Sequence, residues 1–216
     1  LDPMDRLGYA NLAAAYDVEK KYDEEVQVLK KILMFSPEDI ELRSALSTAY
    51  FNSEKYDEAL NHALCVIELD EKDPQAYCNL GSCYSAQNMV DEAIKAFQKA
   101  SEIDPDYSLP HTNLGSLYAT VGRLEKAIKE FKLATSMNKG DALAWMNLYQ
   151  CYKEVGRMED AQEAYRTYEG ILNQESQGAA SDQNNIPGGG VGSGQLASGA
   201  YLETAAPGME ELESES

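Results

Sequence analysis

The sequence predicts an all-α solenoid, one helical hairpin stacked repeatedly along the chain. Three observations predict it. Leu12, Leu46, Leu80, Leu114 and Leu148 recur at an interval of 34 residues without insertion or deletion. Tyr16, Tyr50, Tyr84, Tyr118 and Tyr152 each follow a leucine by four residues, so each pair shares one helical face. Each period also contains two amphipathic stretches at helical spacing. Stacked copies of one supersecondary unit repeat in this way because each copy offers the same knob to the same hole on its neighbour.

With the leucine numbered seventh, the units span residues 6–39, 40–73, 74–107, 108–141 and 142–173. The first keeps Tyr9, Leu12, Tyr16 and Pro37, but carries Glu25 where the other four have alanine. The second keeps Leu46, Tyr50 and Ala59, with Ser47 as its small eighth residue. The third has Tyr77, Leu80, Gly81, Tyr84, Ala93, Phe97, Ala100 and Pro105. The fourth has His111, Leu114, Gly115, Tyr118, Ala127 and Phe131, with Lys139 in place of the proline. The fifth has Trp145, Leu148, Tyr152, Ala161 and Tyr165, with Tyr149 replacing the small eighth residue. Alanines in the second stretch let helix axes approach, while Leu29, Phe97, Phe131 and Tyr165 fill the remaining space. Asn88, Gly122 and Gly156 suit the left-handed residue that closes a helix; Lys20 and Glu54 hold that place in the first two units, at some cost. Ser36-Pro37 and Asp104-Pro105 stop one helix and start the next.

The run Tyr77-x-x-Leu80-Gly81-x-x-Tyr84, then Ala93-x-x-x-Phe97, Ala100 and Pro105, resembles the tetratricopeptide (TPR) pattern, with Tyr where the first aromatic is usually Trp. The resemblance covers roughly residues 1 to 173. It implies a right-handed solenoid of five helix-turn-helix repeats whose first helices line a concave groove. Leu1-Asp2-Pro3 matches Ile103-Asp104-Pro105 in phase, so residues 1–5 read as the remnant of a preceding repeat. The last helix is expected to run to about Asn173. From Gln174 to Ser216 the chain is rich in Gly, Ser and acids and poor in large apolar residues, the composition of a disordered tail.

Charge narrows the function. The chain holds 18 basic and 37 acidic residues, a net of −19. Seven of the acids, and no Lys or Arg, fall in the tail. That balance argues against binding nucleic acid or an anionic membrane, which needs a positive face. Cys65, Cys78, Cys83 and Cys151 form no C-x-x-C pair and no metal-spaced cluster with histidine, so no metal or cofactor is expected. They read as reduced thiols of a cytoplasmic or nuclear protein, and cytoplasmic is the localisation expected. No apolar run approaches the ~20 residues of a membrane span. Only His62 and His111 are available for acid–base work, and packing accounts for both. No catalytic residue is identified, and the chain reads as not an enzyme.

The groove is where function is legible. The resemblance places positions two, five, six, nine, twelve and thirteen on the concave surface. In the third and fourth units these residues are small and uncharged, in a strongly acidic chain. Position six is Asn11, Asn79, Asn113 and Asn147, with Ala45 the exception, and position nine includes Ser82, Ser116 and Gln150. An asparagine amide offers one acceptor and two donors, enough to grip both backbone groups of an extended peptide. The pattern resembles the asparagine ladder in the TPR arm of O-linked N-acetylglucosamine transferases. The plainer role for these asparagines is to tie neighbouring helices together. The carboxylate clamp of TPR co-chaperones is absent, since no Lys or Arg occupies positions two or five, or the asparagine positions.

The function expected is a non-catalytic scaffold binding an extended segment of another protein in its groove. Two alternatives stand beside it: the substrate-recognition arm of a transferase whose catalytic domain lies outside this chain, and a self-assembling subunit associating through uncapped end repeats.

Overall fold

The computed structural model describes residues 6–182; the expectations placed on residues 1–5 and 183–216 lie outside them. Among the described residues there are ten helices and no strand: α1 (Arg6–Val18), α2 (Tyr22–Leu33), α3 (Ile40–Asn52), α4 (Tyr56–Leu69), α5 (Pro74–Ala86), α6 (Val90–Ile103), α7 (Leu109–Thr120), α8 (Leu124–Met137), α9 (Ala142–Glu154) and α10 (Met158–Asp182). Odd-numbered helices are the first of each hairpin and even-numbered ones the second. Each second helix packs on its own partner, and α2, α4, α6 and α8 pack also on the first helix of the next unit, which propagates the stack.

Local chemistry sets the hairpins. The five turns share one device, with Lys20, Glu54, Asn88, Gly122 and Gly156 all at φ between 56° and 79°. The next residue's N–H then reaches back to the carbonyl of the unit's tyrosine, at 2.8 Å from Lys21 to Tyr16 and 2.9 Å from Met89 to Tyr84. The second helices α2, α4, α6 and α8 lack a side-chain cap but open on acids, such as Asp57 and Glu58 in α4, that face the helix-dipole N-terminus. Three of the first helices, α3, α5 and α9, are capped by aspartate. Asp39 accepts from the Leu42 N–H, Asp73 from those of Gln75 and Ala76, and Asp141 from that of Ala144.

The core forms where hairpins meet. Leu46, Leu114 and Leu148 are buried, as are the position-twenty alanines Ala59, Ala93, Ala127 and Ala161. Position eight faces position twenty-four of the same unit, and the two sizes compensate. Gly81 lies under Phe97 and Gly115 under Phe131. In the second unit Ser47 is buried and its hydroxyl donates to the Ala59 carbonyl at 2.9 Å. The fifth unit breaks the rule, with Tyr149 and Tyr165 side by side at a centroid separation of 5.0 Å and Tyr165 partly exposed.

One boundary moves. α10 continues to Asp182, beyond the Asn173 expected for its end. The segment Gln174–Asp182 contains no proline and includes Ala179 and Ala180. Once a helix is nucleated, each further residue adds one hydrogen bond, so good helix formers prolong it. No helix among the described residues is long and apolar enough to cross a membrane.

Candidate functional site

The groove lies on the side of the first helices. α3 touches α5, α5 touches α7, and α7 touches α9. Equivalent helices that touch across successive repeats lie on the smaller radius of a curved stack. Small side chains on the first helices, such as the buried Ser82, leave room for that approach.

Close approach also decides what the predicted residues do. Asn79 and Asn113 are 1% and 2% exposed, and Ser82 is fully buried, so they are enclosed between helices instead of standing in open solvent. Asn11 on α1 is exposed. Ser116, Asn147 and Gln150 are half-buried and come together around a cavity of about 10 Å³, also lined by Ala119, Thr120 and Glu154. That is room for about one water molecule.

Hydrogen bonds tie one unit to the next across this surface. The Asn147 amide donates to the Ser116 hydroxyl at 3.4 Å, and that hydroxyl donates to the Thr112 carbonyl at 3.0 Å. Asn113 and Ser82 are the equivalent pair one unit earlier. There the Asn113 Nδ2 and Ser82 Oγ are both buried and neither has a partner. Thr112 donates to Asp141 at 2.9 Å, so Asp141 caps α9 through one oxygen and holds α7 through the other.

A residue not singled out from the sequence completes the network. Tyr107 stands where the other unit boundaries have Asp39, Asp73 and Asp141. It leaves α7 without a side-chain cap and instead donates its hydroxyl to Gln75 Oε1. Gln75 in turn donates to Asn79 Oδ1 at 2.9 Å. The signal was present as a single break in the run of boundary aspartates. Burial raises the Tyr107 phenol and the Cys78 thiol well above their ordinary values. It pushes Cys83 up to about 12 and Cys151 up to about 11, so these thiols stay protonated at neutral pH. The surface therefore offers amides and hydroxyls for hydrogen bonding.

The two histidines are placed by packing. His111 Nδ1 lies 2.8 Å from Glu130 Oε2, joining α7 to α8. His62 stacks on Tyr50 with centroids 5.5 Å apart, and burial lowers its pKa. Among the described residues no cluster of His, Cys, Asp or Glu could hold a metal ion.

Comparisons with known proteins agree with this architecture. A tetratricopeptide-repeat profile matches residues 74–107, and a second matches residues 96–129. The second straddles the third and fourth units, from within α6 to within α8. The chain thus carries tetratricopeptide repeats, stacked as a TPR solenoid. A crystal structure of MamA superposes with a TM-score of 0.61 at 21% identity, covering 76% of this chain and 95% of that one. A thermophilic TPR protein from Thermus thermophilus gives 0.69 at 18% identity, covering 81% and 97%. Pseudomonas aeruginosa pilF gives 0.66 at 17% identity, covering 77% and 76%. No curated protein matches the chain by sequence.

Proposed function

We propose that the chain is a non-catalytic protein-interaction scaffold whose concave groove takes an extended segment of another protein. The observation that carries this is the cluster of Ser116, Asn147 and Gln150, uncharged hydrogen-bonding side chains half-exposed at one point of an acidic chain. An amide and a hydroxyl held at a fixed separation match the alternating N–H and C=O groups of an extended backbone. Asn11 offers a similar contact at the other end of the groove. Asn79 and Asn113, being buried, are not open to a peptide in the groove. The expected ladder thus becomes a groove whose readers are grouped toward the fifth unit.

Selection of unstructured peptides from a random display library tests this. Hydrogen exchange of the best binder's complex is expected to show new protection on α7 and α9. Protection confined to the second helices would move the binding site away from the groove.

A second reading, association of copies through the first unit, is favoured by Leu7, Val18, Met34 and Phe35, which are 60–83% exposed. Sedimentation across a range of protein concentrations tests it; a monomer throughout would remove it.

A further inference from the structure

A second concavity opens on the side away from the groove. It is a cleft of about 520 Å³ between the second helices α8 and α10, over the face of α9 that carries Trp145, Leu148 and Tyr152. Its floor is aromatic and aliphatic, and its rim is cationic, with Lys132 and Lys139 on one wall. Arg157 and Asp160 on the other side neutralise each other at 2.6 Å, which leaves Glu163 against the two lysines. Neither lysine has an ion-pair partner among the described residues.

This rim lies in a chain where positive charge is scarce. The fourth unit holds five cations (Arg123, Lys126, Lys129, Lys132, Lys139) against three acids (Glu125, Glu130, Asp141), while each of the other four units is net negative. Two of those acids are already engaged. Glu130 pairs with His111, and Asp141 caps α9 and accepts from Thr112. The lysine-bearing surface of α8 is therefore a basic island in a protein of net charge −19.

We propose that this cleft is the docking site of the chain's own acidic segment, residues 209–216. That segment reads Met209-Glu210-Glu211-Leu212-Glu213-Ser214-Glu215-Ser216, four carboxylates with two apolar side chains among them. Its acids match Lys132 and Lys139, and Met209 or Leu212 matches the half-buried Trp145 ring. Connectivity favours it over a foreign partner. α10 itself lines the cleft as far as Thr167 and runs on to Asp182. At 1.5 Å per residue, the chain leaves that helix roughly 22 Å from the cleft. The Gly-rich stretch between Asp182 and Met209 can reach at most about 3.3 Å per residue, more than enough length for the return. Tethering at that range gives an effective concentration on the order of millimolar, so a weak contact suffices.

Trp145 is the only tryptophan in the chain and lies in the cleft, so its fluorescence reports occupancy directly. The full chain is compared with a Glu210→Gln, Glu211→Gln, Glu213→Gln, Glu215→Gln variant and with a Lys132→Glu, Lys139→Glu variant, at equal helicity by circular dichroism. The wild type is expected to shift its emission to longer wavelength as salt screens the contact, from low ionic strength to about 0.5 M. Both variants are expected to begin at the shifted position and to lose the salt response. If the lysine variant folds poorly, the glutamine variant decides alone, because it alters no residue of the helical stack. A salt response unchanged by the glutamine substitutions would overturn the proposal. So would a response that grows with protein concentration, which would place the segment in the cleft of a second copy.

Discussion

A Cβ added to Gly115 would lie 2.6 Å from Cε1 of Phe131, inside any real carbon–carbon contact. Phe131 is fully buried, so it can yield only by repacking its neighbours. Gly115→Ala is therefore expected to destabilise the protein by about 1–3 kcal/mol, as overpacking does. Replacing Phe131 by leucine in the same chain recreates the Ala13 and Leu29 combination of the first unit and is expected to recover part of the loss. A double-mutant cycle by urea denaturation reads the coupling, and strict additivity would show that the two positions do not compete for space.

Glu54 holds a left-handed turn at φ 60° where the fourth and fifth units use glycine. A side chain in that conformation costs about 1 kcal/mol or more. Glu54→Gly is expected to raise the melting temperature by about 2–4 °C, the response of a domain of this size to such a gain. Gly122→Glu is expected to lower it comparably. A fall on Glu54→Gly would mean that the unfolded chain's added freedom outweighs the relief.

Glu25 is 8% exposed, its Oε2 has no partner, and it occupies the place of a buried alanine. Burial, with a smaller contribution from Asp17, raises its pKa to about 7 from an ordinary 4.5. Between those values the folded state binds more protons than the unfolded one. This group's contribution to stability is therefore greatest below about pH 4.5, declines as pH rises toward 7, and is constant above. Glu25→Ala is expected to stabilise the protein at pH 8 by about 1–3 kcal/mol and to flatten this part of the stability profile. Denaturation midpoints at pH 5 and pH 8 provide the check. A Glu25→Ala protein with the wild-type pH dependence would locate the proton uptake elsewhere.

Asp141 joins two units, through the Ala144 N–H and the Thr112 hydroxyl, whereas the capping bond of Asp39 is to the Leu42 N–H of its own helix. Asp141→Ala is expected to cost about 2 kcal/mol, a cap of ~1 kcal/mol and a buried hydroxyl's partner of similar size. Thr112→Val in the Asp141→Ala background is expected to cost little more, since their bond is already gone. Equal, additive losses would mean the Thr112–Asp141 bond contributes nothing.

The 34-residue period made the fold legible because Leu46, Tyr50 and their equivalents face the same neighbour in every unit. Turns were legible for the same reason, since all five left-handed residues share one position. The groove was legible only in part. Periodicity names the positions that face inward, but it does not reveal how closely two first helices approach. That distance depends on the sizes of the residues between those helices, such as Ser82, and it turned Asn79 and Asn113 from open contacts into enclosed ones. Tyr107 escaped notice because its partner, Gln75, lies 32 residues away, at the far end of the same unit. The end of α10 was set short because the sequence after Asn173 lacks the apolar spacing that marked the other helices.

The most direct test of groove binding is the affinity of a groove-selected peptide for the wild type and for Asn147→Ala, Gln150→Ala protein, measured by titration calorimetry at equal helicity. Two hydrogen bonds of about 1 kcal/mol each correspond to a roughly 30-fold weaker complex. That loss is the expected result, with little dependence on salt because the contacting side chains carry no charge. Unchanged affinity in the double variant would contradict peptide recognition by these side chains and leave the groove asparagines as ties between helices.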